Sequence, residues 1–142
     1  MLAATGNPGA EDPLPMAPGP ARPRSTAQRD GAWAEQRVLR LLRRRGWELL
    51  ERNWRCRWGE LDLIVRKPGR LLLVEVKGRR AGSLDGRGTA ALRWQKRRRL
   101  ARAWDCWLAA HPRWEKTPVE QVAALVPLPP ARAPVRWLRL GD

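Results

Sequence analysis

Two carboxylates and one lysine interrupt segments that are otherwise almost wholly apolar. Asp62 lies within the string GELDLI, and Glu75 and Lys77 lie within VEVKG. Successive side chains of a β-strand point to opposite faces, so Glu75 and Lys77, two residues apart, share a face. Acids and a cation placed in this way could bind a metal ion and act on a phosphate ester.

The turn between these two strands sets their pairing. Pro presets φ at one corner of a turn and Gly tolerates positive φ at the next, so Pro68 and Gly69 are the expected turn residues. The antiparallel register that follows places Asp62 directly opposite Glu75. Like charges directly opposed across two strands are destabilising, so the pair requires a nearby cation.

Two cations could compensate for the facing acids, and the spacing leaves both open. A divalent metal, Mg²⁺ or Mn²⁺, suits oxygen ligands at this separation. Alternatively, Lys77 forms a plain ion pair with one acid at the edge of the sheet. A zinc site is not expected, because the chain has one histidine and its two cysteines form no CxxC pair.

A first helix is predicted to carry another acid toward these strands. It runs to about Arg45 and ends at Gly46, and Glu35 lies on its broad apolar face. Glu35 could complete the ligand shell of a metal through a water, or pair with an arginine. Glu60, two residues before Asp62, could be a second ligand or a carboxylate on the solvent side. The candidate N-caps of the helix are Ser25, Thr26 and Asp30.

The remaining elements predict an α/β fold. Strands are expected at 47–54, 61–65, 71–77 and 119–126, with a short edge strand at 135–140. The third strand is apolar on both faces and should be central and covered on both sides. A loop at 78–88 leads to a second helix, from a Thr89 cap to about Ala110. The order is that of an αβββαβ sandwich with a mixed central sheet.

Charge and composition limit the kinds of partner that the chain can have. The 29 basic and 14 acidic residues give a net charge of +15, which favours a polyanion such as nucleic acid as the partner, and DNA is the nucleic acid expected here. Residues 1–24, rich in Pro, Gly and Ala, are predicted to be a disordered leader before a single domain at 25–142. No signal peptide or membrane segment is evident, which indicates a cytoplasmic protein with reduced cysteines.

The paired strand motifs resemble the YraN family of bacterial proteins. The resemblance covers about residues 31–125 and also includes the string GWELLERNWR, Glu35 and Lys96. That family is similar to the PD-(D/E)XK nucleases, which have a restriction-endonuclease-like fold, and it has been compared with Holliday-junction resolvases. The resemblance implies a metal-dependent endonuclease acting on DNA, including branched or repair intermediates.

The resemblance also assigns roles to residues. Asp62, Glu75 and the carbonyl of Val76 would hold Mg²⁺ or Mn²⁺, and Lys77 would position the attacking water or the phosphate. Glu35 matches the acidic residue on the first helix of that superfamily. The candidate nucleic-acid contacts are Lys96, Arg93, Arg97, Arg79 and Arg80.

The sequence is also compatible with two other functions. A non-catalytic nucleic-acid-binding protein would keep the fold and the charge and use the acids and Lys77 only as an ion pair. An interaction protein would bind an acidic protein partner. Cleavage of a junction would require two active sites and therefore a homodimer, but no dimer interface is evident in the sequence.

Overall fold

Five strands form one mixed sheet in the computed structural model, which describes residues 23–81 and 94–140. The helices are α1 (Thr26–Arg44) and α2 (Trp94–Ala110), followed by a short 3₁₀ turn at Pro112–Trp114. The strands are β1 (Glu48–Cys56), β2 (Gly59–Lys67), β3 (Arg70–Arg79), β4 (Val119–Pro127) and β5 (Arg136–Leu140). This order confirms the expected αβββαβ sandwich. Most of the expected leader and loop, and the Thr89 cap, lie outside the described residues.

The central strand β3 separates two apolar layers. The strands lie across the sheet in the order β1-β2-β3-β4-β5. Leu72 and Val74 pack in the cluster that contains the buried side of α1. Leu71 and Leu73 pack in the cluster that contains the buried side of α2. Because alternate residues of a strand face opposite ways, the helices cover opposite faces of the sheet, as the apolar run predicted.

Helix α1 begins at a capping box and ends before a glycine. The Ser25 side chain accepts a hydrogen bond from the Gln28 N–H, and the Gln28 side chain accepts one from the Ser25 N–H. These contacts satisfy two main-chain donors that the first turn leaves without helical partners. Gly46 has a φ of +90°, a conformation that allows the chain to turn directly into β1.

Helix α2 has an apolar side that packs on the sheet and a basic side that faces solvent. The buried residues are Leu100, Ala103, Trp104 and Trp107. Residues Arg97, Arg98, Arg99 and Arg102 are exposed. In the part of the chain that the structure describes, neither helix is long and apolar enough to cross a membrane.

The register between β2 and β3 follows from their turn, as expected. β2 ends at Lys67, β3 begins at Arg70, and Gly69 has a φ of +77°. Register pairs then continue from the turn to Leu63–Val74. β3 pairs in parallel with β4, and such a pair needs the long crossover that α2 lies in.

Substitution of two glycines by alanine should change the free energy of unfolding in opposite directions, which tests the backbone conformation at both positions. Gly31 lies inside α1, and an added Cβ there would meet no atom within 4 Å. Gly31→Ala should therefore raise the free energy of unfolding by about 0.5–1 kcal/mol, because alanine loses less entropy in a helix. Gly69→Ala should lower it by about 1 kcal/mol, because an L-residue is strained at positive φ. Urea denaturation of both variants checks the two signs, and a neutral or stabilising Gly69→Ala would contradict the assigned turn.

Candidate active site

Asp62 lies on β2 just beyond the last register pair with β3, which is Leu63–Val74. Its Oδ2 accepts a hydrogen bond from the main-chain N–H of Val76 at 2.8 Å. In a regular ladder the Val76 N–H would donate to a main-chain carbonyl of β2; here it donates to the Asp62 side chain instead. The half-buried carboxylate is held between the two strands by this bond.

The Asp62 carboxyl is difficult to ionise. Its pKa is raised from 3.8 to about 7, first because burial disfavours the charged form and next because Glu75 carries the same charge. Glu35 and Glu60 raise the pKa further, whereas the Val76 N–H lowers it by stabilising the carboxylate. Asp62 thus lies in the field of three other acids, from α1, β2 and β3, within a chain whose net charge is +15.

Glu75 is neutralised by a residue from α2. Its side chain is only 11% exposed, and its Oε1 lies 2.8 Å from the Nζ of Lys96. Lys96 lies on the same stripe of α2 as the buried Leu100 and Ala103, and it faces the sheet. Since 41% of the Lys96 side chain remains exposed, the ion pair lies at the edge of the core.

Lys77 does not form the ion pair with Asp62 or Glu75 that was one of the two alternatives left open by the sequence. Within the described residues it makes no ion pair with Asp62 or Glu75, and Lys96 is the cation on Glu75. Lys77 instead lines a separate cleft of about 480 Å³ with Asp30 and Arg80. Strand alternation places Lys77 on the side of Glu75 but does not specify which cation lies closest to it, because that depends on α2.

Asn53 connects two of the acids, and sequence reasoning gave it no role. With its amide nitrogen turned toward them, it donates to Glu35 Oε1 at 2.6 Å and to Glu60 Oε1 at 3.0 Å. The residue has a φ of +51°, a left-handed conformation that asparagine tolerates better than most residues. The pKa of Glu35 is raised, chiefly by burial; Arg52 opposes this shift, and Glu60 adds to it.

A cleft opens above this acid pair. It has a volume of about 490 Å³ and lies between the first turns of α1 and strand β1; we call it the α1–β1 cleft. Its charged and amide lining residues include Arg24, Arg52, Arg55, Glu35, Glu60 and Asn53. No sequence signal singled out these arginines, because they belong to a charge excess that runs through the whole domain.

The predicted nucleic-acid contacts lie on two separate elements. On α2, Lys96 pairs with Glu75 and Arg97 is exposed. At the end of β3, Arg79 is half-buried and Arg80 forms an ion pair with Asp30 at the start of α1. Arg93 lies outside the described residues.

The donors at Asp62 are oxygens, the type of ligand that a hard divalent cation takes. Two carboxylates from neighbouring strands lie close enough to raise the pKa of one of them, so positive charge between them would be favourable. The N–H and C=O of a strand residue point toward the same neighbouring strand, so the Val76 carbonyl faces the Asp62 side. Both cysteines are free, and no three His, Cys, Asp or Glu side chains among the described residues are grouped to hold a metal.

Residues 34–125 match the model of the uncharacterised protein family UPF0102. A UPF0102 protein of Prochlorococcus marinus strain MIT 9303 is 54% identical over 114 residues, which cover 80% of this chain and 90% of that protein. One from Parasynechococcus marenigrum is 50% identical over 113 residues, covering 80% and 82%. One from Cupriavidus metallidurans is 42% identical over 121 residues, covering 84% and 85%.

The raised pKa of Asp62 gives a prediction for the metal-free protein. The folded state keeps the Asp62 proton up to about pH 7, whereas the unfolded chain releases it near 3.8. The folded state therefore binds more protons between these pH values, and this group makes the free energy of unfolding fall as pH rises through that window. Asp62→Asn should remove the fall, so the variant gains on the parent by up to about 4 kcal/mol across the window.

Denaturation curves in EDTA at several pH values between about 4 and about 8 measure this difference. Asp105→Asn, which neutralises an exposed acid on α2, is the matched control and should follow the parent. If Asp62→Asn follows the parent as well, the Asp62 carboxyl is not held neutral in the folded state.

Proposed function

The chain belongs to the UPF0102 family, which is the YraN family, and we propose that it is a metal-dependent endonuclease that hydrolyses phosphodiester bonds in DNA. The observation that carries the proposal is the electrostatic repulsion between two acids, Asp62 and Glu75, at the end of the β2–β3 ladder. Such a pair lowers stability in the absence of a cation, and the basic chain around it attracts phosphate. Branched and repair intermediates are the DNA structures that the family resemblance suggests.

The acid pair argues for chemistry rather than for simple binding. A protein that only binds DNA gains nothing from a half-buried carboxylate whose pKa lies near 7. Burial of like charges is a departure from stability rules that proteins tolerate mainly at functional sites. The relatives described above carry only their family name, so this argument rests on the site itself.

The residues at the site have separable tasks. Asp62, Glu75 and the Val76 carbonyl would hold Mg²⁺ or Mn²⁺, which supplies positive charge against the phosphate and acidifies water. The Val76 N–H fixes the direction of the Asp62 carboxylate, and Lys96 fixes that of Glu75. Lys77, on the same strand as Glu75, would orient the phosphate or the attacking water.

One observation favours the alternative, a nucleic-acid-binding protein without catalysis. Lys96 already neutralises Glu75 at 2.8 Å, so a metal would have to share that carboxylate with a bound ammonium group. In the binding protein the ion pair would be structural, and the charge of +15 would be the functional feature. Metal dependence separates the two functions.

Asp62→Asn should separate catalysis from binding. We expect cleavage to fall at least about 100-fold, because even residues that only support a metal ligand contribute 10–100-fold. DNA binding should change little, because affinity comes from many phosphate contacts spread over the surface. The assay uses single-stranded, duplex, flap and four-way-junction DNA with Mg²⁺ or Mn²⁺, with Asp105→Asn as the control.

Thermal unfolding tests metal binding directly and does not depend on finding the right substrate. Mg²⁺ should raise the melting temperature of the parent and of Asp105→Asn but not that of Asp62→Asn, because only an occupied site stabilises by mass action. Equal shifts in all three proteins, together with cleavage by Asp62→Asn at the rate of the parent, would leave the binding protein as the better description.

Binding of DNA to the parent should weaken steeply with salt. Each neutralised phosphate on duplex DNA contributes a slope of about −0.9 to the logarithm of affinity against the logarithm of salt concentration. Fluorescence anisotropy between about 0.05 and about 0.2 M salt measures the slope. An affinity that hardly changes over this range would contradict a phosphate-binding surface and would indicate a protein partner.

A further inference from the structure

The α1–β1 cleft carries three cations that the proposed chemistry leaves without a task. Arg24, Arg52 and Arg55 line it, and all three are exposed, Arg55 with 79% of its side chain. A guanidinium group binds phosphate oxygens through two parallel donors, which makes arginine well suited to a nucleic-acid backbone. Three of them around one cleft of about 490 Å³ give a local concentration of such donors.

The floor of the cleft connects it to the candidate active site. Glu60 lines the cleft and lies two residues before Asp62 on β2. Asn53 holds Glu60 and Glu35 together through hydrogen bonds of 3.0 and 2.6 Å. The inner end of the cleft is therefore acidic and lies beside Asp62, while its rim is basic. A strand whose phosphate is attacked at Asp62 would meet the rim arginines with its neighbouring phosphates.

The acids on the floor offset only part of the rim charge: Arg52 and Arg24 lower the pKa of Glu35, but three arginines face two acids. Glu60 forms an ion pair with Arg55 at 3.5 Å, and both side chains remain partly exposed, so the pair contributes little to stability and can be exchanged for a phosphate. The first turn of α1, which also borders the cleft, contains no acidic residue. The positive end of that helix therefore adds to the field of the arginines.

We propose that the α1–β1 cleft binds the phosphate backbone of an unpaired DNA strand adjacent to Asp62. The inference rests on the proposed function insofar as DNA is the partner. A cleft of about 490 Å³ is of the size that encloses a small ligand, which suits one strand. A basic groove that follows a single backbone is the arrangement by which proteins hold unpaired strands without sequence preference. On α2, by contrast, Arg97 and Arg99 are exposed on a convex helix surface.

The test compares three double variants that remove the same charge from different places. Arg52→Gln with Arg55→Gln alters the cleft, Arg97→Gln with Arg99→Gln alters α2, and Arg43→Gln with Arg44→Gln alters the exposed end of α1. The probe is a fluorescein-labelled oligothymidylate of about 12 nucleotides, within the site sizes of single-strand binders. Anisotropy is measured in EDTA, so binding is read without cleavage.

The cleft variant should lose about 1.4 from the magnitude of the salt slope, since each single-strand phosphate contact contributes about 0.7. Its deficit in affinity relative to the parent should then grow about sevenfold as salt is lowered from about 0.2 to about 0.05 M. The α1-end variant should lose much less, and a blunt duplex probe should be less affected by the cleft variant than the single strand. Replacing both cleft arginines by lysine should restore most of the slope.

Three results would overturn the proposal: equal losses in all three double variants, a larger loss from the α2 variant, or a parent that does not bind the single strand. Arg24→Gln, just before the Ser25 cap of α1, should lower the slope by about 0.7 and provides an independent test if the double variant does not fold. A selective loss in the cleft variant from a parent that cleaves no DNA would support the cleft and refute only the nuclease.

Discussion

The hydrogen bond from the Val76 N–H to the Asp62 carboxylate determines where β2 and β3 stop pairing, and the rest of the site depends on that point. Up to Leu63–Val74 the two strands form an ordinary ladder. One residue further, the donor of β3 is taken by a side chain, so the carboxylate is held between the strands. Glu75, next to Val76, is thereby brought into the field of Asp62. Repulsion between the two acids is a direct consequence of this arrangement.

No single element could hold these acids in place. The cation on Glu75 comes from Lys96 of α2, and the amide that joins Glu35 to Glu60 comes from Asn53 of β1. Glu35 itself comes from α1, on the other face of the sheet from α2. Both helices and three strands must therefore be in position before the negative charges are tolerable, so assembly of the site and completion of the fold are coupled.

What the sequence predicted, and what it did not, follows from the range of the interactions. The Lys67–Arg70 turn is local, since Pro and Gly favour specific dihedral angles, and the register up to Leu63–Val74 could be derived from it. The influence of Glu75 on Asp62 was therefore predictable, although the register pairs stop at Leu63–Val74 and do not include the expected pair of Asp62 with Glu75. The partner of Glu75 was not, because strand alternation places Lys77 on the correct side while the distance to Lys96 is set by the packing of α2. The role of Asn53 depends on a left-handed conformation in a strand whose register also shifts, and no sequence pattern indicates this.

The tryptophans help to explain how a chain of charge +15 folds into a compact domain. So large an excess of cations would destabilise a compact domain by self-repulsion. Among the residues that the structure describes, some tryptophan rings have two cations stacked over them, at 4.5–5.4 Å from the ring centroid. These rings are Trp47, Trp58 and Trp114. Each such contact contributes about 0.5–1 kcal/mol at an exposed position, and tryptophan is the aromatic residue that binds cations best. Aromatic faces thus stabilise part of the basic surface, and two of the stacked arginines, Arg66 and Arg70, are also paired with Glu48 and Glu120.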